Sequence, residues 1–317
     1  MTPFLIVLAL LILFVAGLVA FTAFIARRVE KTLPPRGKFL ELEGARIHYL
    51  DKGSGSAILL VHGLGGQMGN FAYGVVDQLI NEFRVLVIDR PGSGYSTRSS
   101  DDAAHLAAQA AYVAQFIRKV GLDHPLLVGH SLGGAISLRV ALDHPETLSG
   151  LALIAPLTHI PPHVPEPFRP LDIDSKLVRR LLAWTVATPI GILRGATVLK
   201  QIFHPDPVPA DFPIRGGGIL GLRPRSFYNV STDLVAADAG LDSMVERYST
   251  IRMPVSILYG TSDNILDSRF HGESMRSKLP QLQLKLVEGA GHMLPVSAPE
   301  TTAAFLREAA SHDRATG

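Results

Sequence analysis

The chain has 317 residues, a length that suits one α/β domain carrying an insertion, and it contains no cysteine. The lack of cysteine excludes disulfides, thiolate metal sites and a cysteine nucleophile. The formal net charge is only +2, and the basic residues are scattered rather than interleaved with aromatic residues. Nucleic-acid binding is therefore not expected.

The first element in chain order is an apolar stretch without charged residues, from Pro3 to Ala26. As a helix it would extend about 36 Å, enough to cross a hydrocarbon core of about 30 Å. We therefore predict a single-pass transmembrane anchor at 1–28, followed by a short, stiff linker at 29–38. A cleaved signal peptide is the competing interpretation, but its apolar region is normally shorter and follows basic residues.

The charges around this stretch predict its orientation. Only the terminal amine precedes it, whereas five basic residues follow it: Arg27, Arg28, Lys31, Arg36 and Lys38. The positive-inside rule then places the catalytic part on the cytoplasmic side of the membrane. A signal anchor with the catalytic part outside the cytoplasm is the alternative.

After the linker, strand-like and helix-like segments alternate, which predicts an α/β fold with a mostly parallel, doubly wound sheet that opens with an antiparallel hairpin. The alternation stops between 157 and 250, where proline-rich loops separate apolar helical segments. We interpret this segment as a helical lid inserted between two parts of the core, 39–156 and 251–317. The aromatic candidates for lining a substrate pocket in the lid are Trp184, Phe203, Phe227 and Tyr228.

One pentapeptide carries the strongest chemical signal. Gly129-His130-Ser131-Leu132-Gly133 fits G-x-S-x-G directly after an apolar strand-like run and before a segment rich in Ala and Leu. A serine at the apex of such a strand–turn–helix has an exposed Oγ, and the following helix directs backbone N–H groups at the reacting atoms. Ser131 is therefore the predicted nucleophile. The alternative is a glycine-rich turn with an incidental serine.

Other apolar strand-like runs end in loops that carry His62-Gly63-Leu64-Gly65-Gly66, Gly260-Thr261-Ser262-Asp263 and Gly289-Ala290-Gly291-His292. Together with the pentapeptide, these loops make the chain resemble the α/β-hydrolase superfamily. The closest resemblance is to its esterase- and lipase-like branch, which has a serine nucleophile and a lid insertion. The order Ser131, Asp263, His292 along the chain is the order of that family.

The resemblance implies a role for each of these residues. His292 would be the general base for Ser131, and Asp263 would hold the imidazole ring and favour its protonated form. Asp267 is the alternative acid. A simple Asx turn or helix cap is the structural alternative for Asp263.

The resemblance also implies an oxyanion hole made by the backbone N–H groups of Leu64 and Leu132. His62 is expected to fix the loop that contains Leu64 rather than to do chemistry. The side chain of His130 is expected to point away from the reacting face.

We therefore expect a serine hydrolase that cleaves carboxylic esters of apolar or acyl-chain substrates through an acyl-enzyme. Its partners would be a small-molecule or lipid-like ester and, through the N-terminal helix, the membrane; the oligomeric state is left open. Thioester or C–C bond hydrolysis, acyl transfer and perhydrolysis use the same triad and remain open. Outside the enzymes, the alternative is a ligand-binding receptor on this fold.

Metals and cofactors are not expected. The chain has no H-E-x-x-H, and no G-x-G-x-x-G follows a strand to open a helix. Members of the superfamily that open epoxides or displace halide carry Asp at the nucleophile position, so Ser131 argues against both reactions.

Overall fold

The structure is a computed structural model that describes residues 3–316, so residues 1, 2 and 317 of the expected anchor and core lie outside the described residues. Within this range nine strands form one sheet. They are β1 (Lys38–Leu42), β2 (Ala45–Lys52), β3 (Ala57–Val61), β4 (Arg84–Ile88), β5 (Thr97–Arg98), β6 (Leu126–His130), β7 (Gly150–Ile154), β8 (Val255–Gly260) and β9 (Gln283–Val287).

The α-helices of the described range alternate with these strands, apart from one long N-terminal helix and a group between β7 and β8. They are α1 (Pro3–Thr32), α2 (Gly69–Ala72), α3 (Val75–Leu79), α4 (Leu106–Val120), α5 (Leu132–Asp143), α6 (Lys176–Trp184), α7 (Ala187–Phe203), α8 (Phe212–Arg215), α9 (Pro224–Ala237), α10 (Leu241–Arg247), α11 (Ser268–His271), α12 (Leu294–Ser297) and α13 (Pro299–Thr316).

The strand order is β1-β2-β4-β3-β6-β7-β8-β9, with β5 paired to β2. The pairs β1–β2, β2–β4 and β2–β5 are antiparallel. The strands β4, β3, β6, β7, β8 and β9 pair in parallel in that order. This is the mostly parallel sheet with an antiparallel opening that the sequence predicts.

Helices cover both faces of the sheet, because alternate residues of each parallel strand bury opposite faces. Leu59 and Leu127 pack on one face with α4 and α5, and Leu60 and Val128 pack on the other with α3 and α13. Both faces of β6 are therefore buried, which explains why its sequence reads as a continuous apolar run. The doubly wound arrangement is confirmed.

The strand register brings the motif loops together. Val61, the last residue of β3, pairs with Gly129 in β6, and His130, the last residue of β6, pairs with Ile154 in β7. Gly260, the last residue of β8, pairs with Val287 in β9. Parallel strands end at the same edge of a sheet, where ligands of α/β folds bind. All the loops with predicted site residues therefore leave this one edge.

Helices α6 to α10 lie between β7 and β8, where the sequence analysis places the lid. The first two of these helices, α6 and α7, meet at a bend of 79°. Thr188 near the start of α7 is buried and donates a hydrogen bond from Oγ1 to the carbonyl oxygen of Leu222, 2.9 Å away. The bend thus allows α7 to pack across the other lid segments.

Helix α1 is long and apolar enough to cross a membrane, although a signal sequence meets the same criterion. It extends to Thr32, so the segment expected to be a linker begins as helix. The cause is packing: Val29 is buried against the rest of the protein, and its carbonyl oxygen accepts a hydrogen bond from the backbone N–H of Leu33 at 2.9 Å. Its apolar N-terminal part is exposed.

Candidate active site

Ser131 lies between β6 and α5 with a φ of 56° and a ψ of −120°. A residue with a Cβ is strained at such a positive φ, by about 1–3 kcal/mol, and persists there only when its neighbours require it. Here they do. A Cβ on Gly133 would lie 2.3 Å from the carbonyl oxygen of Val61, and one on Gly129 would lie 2.4 Å from that of Gly133. The two glycines of the pentapeptide are therefore required by close backbone contacts.

The loops after β8 and β9 bring Asp263 and His292 together. Nδ1 of His292 lies 2.7 Å from Oδ2 of Asp263. The other carboxylate oxygen accepts hydrogen bonds from the backbone N–H groups of Ile265 and Leu266, at 2.9 and 3.0 Å. Asp263 thus forms an Asx turn and also orients the imidazole. Because the carboxylate accepts at Nδ1, that nitrogen carries the proton and Nε2 is left as the basic atom.

Asp267, the alternative acid, has a different role. Its carboxylate accepts a hydrogen bond from the backbone N–H of Phe270 at 2.7 Å and caps the N-terminus of α11. Within residues 3–316 it makes no contact with His292 by hydrogen bond or ion pair. The geometry favours Asp263.

Ser131 and His292 line one cavity and are both nearly buried, with 8% and 3% of their surface exposed. No hydrogen bond joins the two side chains in the described part of the chain. Nucleophile–base hydrogen bonds are often long without substrate and shorten in the reacting complex. The arrangement is therefore compatible with a nucleophile and its base.

Leu64 and Leu132, whose backbone N–H groups are predicted to form the oxyanion hole, line a second cavity together with Ser131. Neither the N–H of Leu64 nor that of Leu132 donates a hydrogen bond to any residue between 3 and 316. Leu132 is the first residue of α5, where the helix dipole favours negative charge. Two unpaired donors beside one nucleophile can stabilise a developing oxyanion.

His62 and His130 are buried next to the site, and burial lowers the pKa of each to about 3. Nδ1 of His62 donates to the carbonyl oxygen of Gly63 at 2.8 Å, while its Nε2 accepts from the backbone N–H of Arg90 at 3.0 Å. His62 therefore holds the loop that contains Leu64. His130 donates from Nε2 to the carbonyl oxygen of His292 at 3.0 Å, a contact that the sequence does not predict.

Arg90 is a further site residue that sequence reasoning missed. It is 1% exposed and donates to the carbonyl oxygens of His62 and Gly63 at 3.0 and 3.1 Å. Its Nη1 also lies 2.9 Å from Oδ2 of Asp233 in lid helix α9, and Arg98 pairs with the other oxygen of Asp233. The lid is thereby connected to the loop of the oxyanion hole. The sequence does not predict this role of Arg90, because its partner Asp233 lies far along the chain in a lid segment without a recognisable motif.

Asp89 braces the loop after β4. It pairs with His48 at 2.7 Å and accepts hydrogen bonds from the backbone N–H groups of Met68 and Tyr95, each at 2.8 Å. Burial alone would raise the pKa of this carboxyl group, but the hydrogen bond from His48 and the other donors lower it overall. The carboxylate is thus kept ionised inside the protein.

The two cavities meet at Ser131. One has a volume of about 190 Å³ and is mainly apolar; its residues include Leu64, Leu132, Leu157, Val164, Phe168, Leu234, Ile265 and Leu266. The other has a volume of about 120 Å³ and includes Gly63, Leu64, His130, Leu199, Ile202, Phe203, Phe212, His292 and Met293.

Of the four aromatic residues expected to line a pocket, only Phe203 borders either of these two cavities. Trp184 and Tyr228 instead line a separate cavity beside α1, and Phe227 lines none of the three. Phe168, which borders both cavities at Ser131, was not predicted. The lid helices pack in directions that their sequences do not specify.

A sequence model of the α/β-hydrolase-fold family matches residues 56–191. The chain is 33% identical over 121 residues to the dihydrolipoyllysine-residue acetyltransferase component of the acetoin cleaving system of Cupriavidus necator. That alignment covers 38% of this chain and 32% of the other, so the chain spans about a third of this relative. Other matching proteins include a haloalkane dehalogenase of Mycobacterium tuberculosis, 32% identical over 38% of this chain and 42% of its own.

Two solved structures extend the comparison to nearly the whole chain. An esterase from Thermogutta terrifontis has a TM-score of 0.68 and 23% identity, over 87% of this chain and 99% of the other. A membrane phospholipase A, described as a bacterial virulence factor, has a TM-score of 0.63 and 25% identity, over 99% of each chain. With the sheet order and the loop arrangement described above, these matches show that the chain has the α/β-hydrolase fold.

Proposed function

We propose that the protein is a membrane-anchored serine hydrolase that cleaves carboxylic esters with an apolar acyl group. The observation that carries the proposal is the convergence of three features on one buried site. These are the strained Ser131, the His292–Asp263 pair at 2.7 Å, and the unpaired backbone N–H groups of Leu64 and Leu132.

In the proposed reaction, Oγ of Ser131 attacks the ester carbonyl carbon while Nε2 of His292 takes the hydroxyl proton. The carbonyl oxygen becomes an oxyanion and accepts hydrogen bonds from the N–H groups of Leu64 and Leu132. The bond to the alcohol oxygen then breaks, and His292 returns its proton to that oxygen. Water repeats the sequence on the acyl-enzyme, which releases the carboxylic acid and restores Ser131.

The two cavities suggest which part of the substrate each one accepts. The leaving alcohol must receive a proton from His292, so it belongs in the cavity of about 120 Å³ that His292 lines. The acyl group then extends into the mainly apolar cavity of about 190 Å³, which both Leu64 and Leu132 line. Each is smaller than the roughly 300–1,000 Å³ of typical ligand pockets. With the lid in this position, the acyl cavity fits short and medium acyl chains best.

The acyl cavity is not uniformly apolar, since Asp172, Asp174 and Asp238 also line it. Burial raises the pKa of Asp238, and the nearby charges of Asp172 and Asp242 raise it further. A negatively charged acyl group would be repelled by these carboxylates. The substrate class is therefore neutral esters rather than half-esters of dicarboxylic acids.

The membrane part of the proposal rests on α1. Its 30 residues are apolar up to Ala26, and its apolar N-terminal part makes no large buried contact with the described protein. Basic residues follow it, which favours a catalytic part on the cytoplasmic side. The solved membrane phospholipase A, which is matched over 99% of its chain, supports a lipid-like ester as substrate.

Labelling with a fluorophosphonate tests the nucleophile and the enzyme class together. The full chain, in detergent, should be labelled on the peptide that contains Ser131, and Ser131→Ala should abolish labelling. Ser137→Ala is the matched control, because Ser137 lies on the next turn and donates only to the carbonyl oxygen of Gly133. Labelling of another serine, or none, would contradict the proposal.

Substrate comparison separates esters from the other reactions that the same triad supports. The value of kcat/KM is measured for p-nitrophenyl ester, thioester and carbamate substrates that carry short neutral groups of the same size. It should be highest for the ester. A single burst without steady turnover would indicate a ligand-binding protein instead.

A further inference from the structure

A third cavity, of about 450 Å³, lies between the C-terminal half of α1 and the lid, away from Ser131. Ala23, Ala26, Arg27 and Glu30 border it from α1. The lid contributes Arg180 and Trp184 from α6, and Arg223, Arg225, Tyr228 and Asn229 from the start of α9. The catalytic reaction uses none of these residues.

The charges that line this cavity do not balance. Four arginines face a single carboxylate, that of Glu30, which lies 3.5 Å from Nη1 of Arg223. Among the described residues, Arg225 donates only to the carbonyl oxygens of Gly94 and Ser96, at 2.7 and 3.1 Å, and Arg223 also donates to those of Leu220 and Gly94, at 3.2 and 2.6 Å. In the described chain, Arg27 has no carboxylate within ion-pairing distance. The same is true of Arg180, so the residues that line the cavity carry an excess of three positive charges, which the carboxylate of Asp89 outside the lining offsets in part at Arg223 and Arg225.

Part of this charge is removed from water. Arg223 is 1% exposed, and burial lowers the pKa of both Arg223 and Arg225. The charge of Arg225 lowers the pKa of Arg223 further. Positive charges that raise each other's free energy in this way are stabilised by an anion placed between them. Guanidinium groups bind phosphate oxygens with paired hydrogen bonds.

The position along α1 indicates where that anion comes from. The uncharged stretch of α1 ends at Ala26, and Arg27 is the next residue. If the stretch crosses the hydrocarbon core, the cavity lies at the level of the lipid headgroups. Helix α6 beside the cavity also exposes apolar side chains, with Leu177 67%, Leu181 57% and Trp184 43% exposed. Such side chains suit contact with acyl chains next to a bound headgroup.

We propose that this cavity binds the phosphate group of an anionic phospholipid, which thereby fixes the lid against the anchor helix. The proposal rests on the membrane anchoring proposed above, and it is independent of the catalytic mechanism. The bound lipid is a structural ligand here, since its headgroup contacts residues outside the two cavities at Ser131.

Trp184 provides an internal reporter because it lines the cavity and is the one tryptophan of the sequence. The full chain is reconstituted in phosphatidylcholine vesicles that contain a minor fraction of phosphatidylglycerol. Two preparations are compared, in which the same small amount of brominated lipid is either phosphatidylglycerol or phosphatidylcholine. At equal mole fraction, brominated phosphatidylglycerol should quench Trp184 several-fold more than brominated phosphatidylcholine. Inorganic phosphate in the buffer should not reverse this preference, because it lacks the acyl chains.

Neighbouring arginines give matched controls. Arg27→Gln should reduce the preference for phosphatidylglycerol about fivefold, since an arginine near an anionic surface contributes about 1 kcal/mol. Arg28→Gln removes the same charge at the same depth, but Arg28 lies over the ring of Phe24 and does not line the cavity, so its effect should be smaller. Arg180→Gln in the lid should also reduce the preference for phosphatidylglycerol. Its control is Arg194→Gln, at an exposed position on α7 outside the cavity, which should have a smaller effect.

Equal quenching by the two brominated lipids would overturn the proposal. So would equal effects of Arg27→Gln and Arg28→Gln, because they would indicate diffuse surface attraction rather than a site. Reversal of the preference by millimolar phosphate would indicate a site for free phosphate instead. Vesicle flotation and fluorophosphonate labelling of the same samples report anchoring and catalysis separately, so failure of either is distinguishable from failure of the lipid site.

Discussion

The carboxyl edge of the sheet and the helical lid are held in place by different kinds of interaction. At the edge, short-range steric contacts decide the geometry: strands β6, β7 and β8 are buried along their whole length, and Gly129 and Gly133 have no space for a Cβ. In the lid, α6 and α7 leave large apolar side chains exposed, such as Leu177 and Leu193 at 67% and 81%.

Polar groups that are distant in sequence hold the lid to the edge. Within the lid, Arg179 in α6 donates to the hydroxyl groups of Ser231 and Thr232 at 3.0 and 2.7 Å, whereas Asp233 in α9 pairs with Arg90 and Arg98 outside the lid. Ion pairs of this kind constrain position but add little net stability, because desolvation offsets their attraction. The edge is therefore built for rigidity, while the lid is a layer attached at a few points.

The largest effect should follow from changes at the rigid edge. Ser131→Ala and His292→Ala should each lower kcat/KM by about 10⁴-fold or more, because members of a triad act as a unit. Thermal unfolding should stay nearly unchanged for Ser131→Ala, since the side chain is small. Residual activity above about a hundredth of the original would exclude these roles.

The carboxylate at the edge should come next. Asp263→Asn should lower kcat by about 10²- to 10⁴-fold, because an amide in place of the carboxylate disfavours the tautomer that leaves Nε2 basic. Asp267→Asn is the matched control and should have little effect, because asparagine caps a helix as well as aspartate does. If Asp267→Asn is the more damaging change, the assignment of the acid is wrong.

The connection between the two regions can be broken at one residue. Asp233→Asn leaves Arg90 and Arg98 buried without their anion and should destabilise the protein by about 3–5 kcal/mol. It should also lower kcat for a soluble ester, because Arg90 holds the carbonyl oxygens of His62 and Gly63. Denaturant unfolding and kinetics measure the two effects.

The exposed Asp242 of α10 provides the control, and Asp242→Asn should change neither quantity. A fall in stability with unchanged kcat in Asp233→Asn would show that the lid contact does not position the oxyanion loop.

A separate effect concerns pH. His62 and His130 have pKa values of about 3 in the folded protein, against 6.5 for an ordinary histidine. Below about pH 6.5 the unfolded chain therefore binds protons that the folded chain does not. The free energy of unfolding should fall with decreasing pH down to about pH 3, with each histidine adding a slope of about 1.4 kcal/mol per pH unit.

Thermal unfolding at a series of pH values tests this slope. His130→Gln should make it shallower, while His163→Gln, in an exposed loop, should leave it unchanged. A transition temperature that is independent of pH across this range would show that the two histidines do not titrate as their burial requires.

The sequence by itself determined the features that depend on neighbouring residues. The fold class, the turn at Ser131 and the loops that carry Asp263 and His292 follow from apolar runs bounded by glycine, because buried strands and tight turns restrict composition locally. The sequence also indicated the loop role of His62, and it left Asp263 and Asp267 as alternatives.

Only the tertiary structure distinguishes those two carboxylates, since Asp263 and not Asp267 makes the 2.7 Å contact with His292 among the described residues. It also showed that Arg90 connects the oxyanion loop to Asp233, residues 143 positions apart along the chain. The pocket residues of the lid, Phe168 rather than Trp184 among them, were likewise fixed by packing. Amphipathic helices specify that one side is buried, but the partner of that side depends on how distant segments meet.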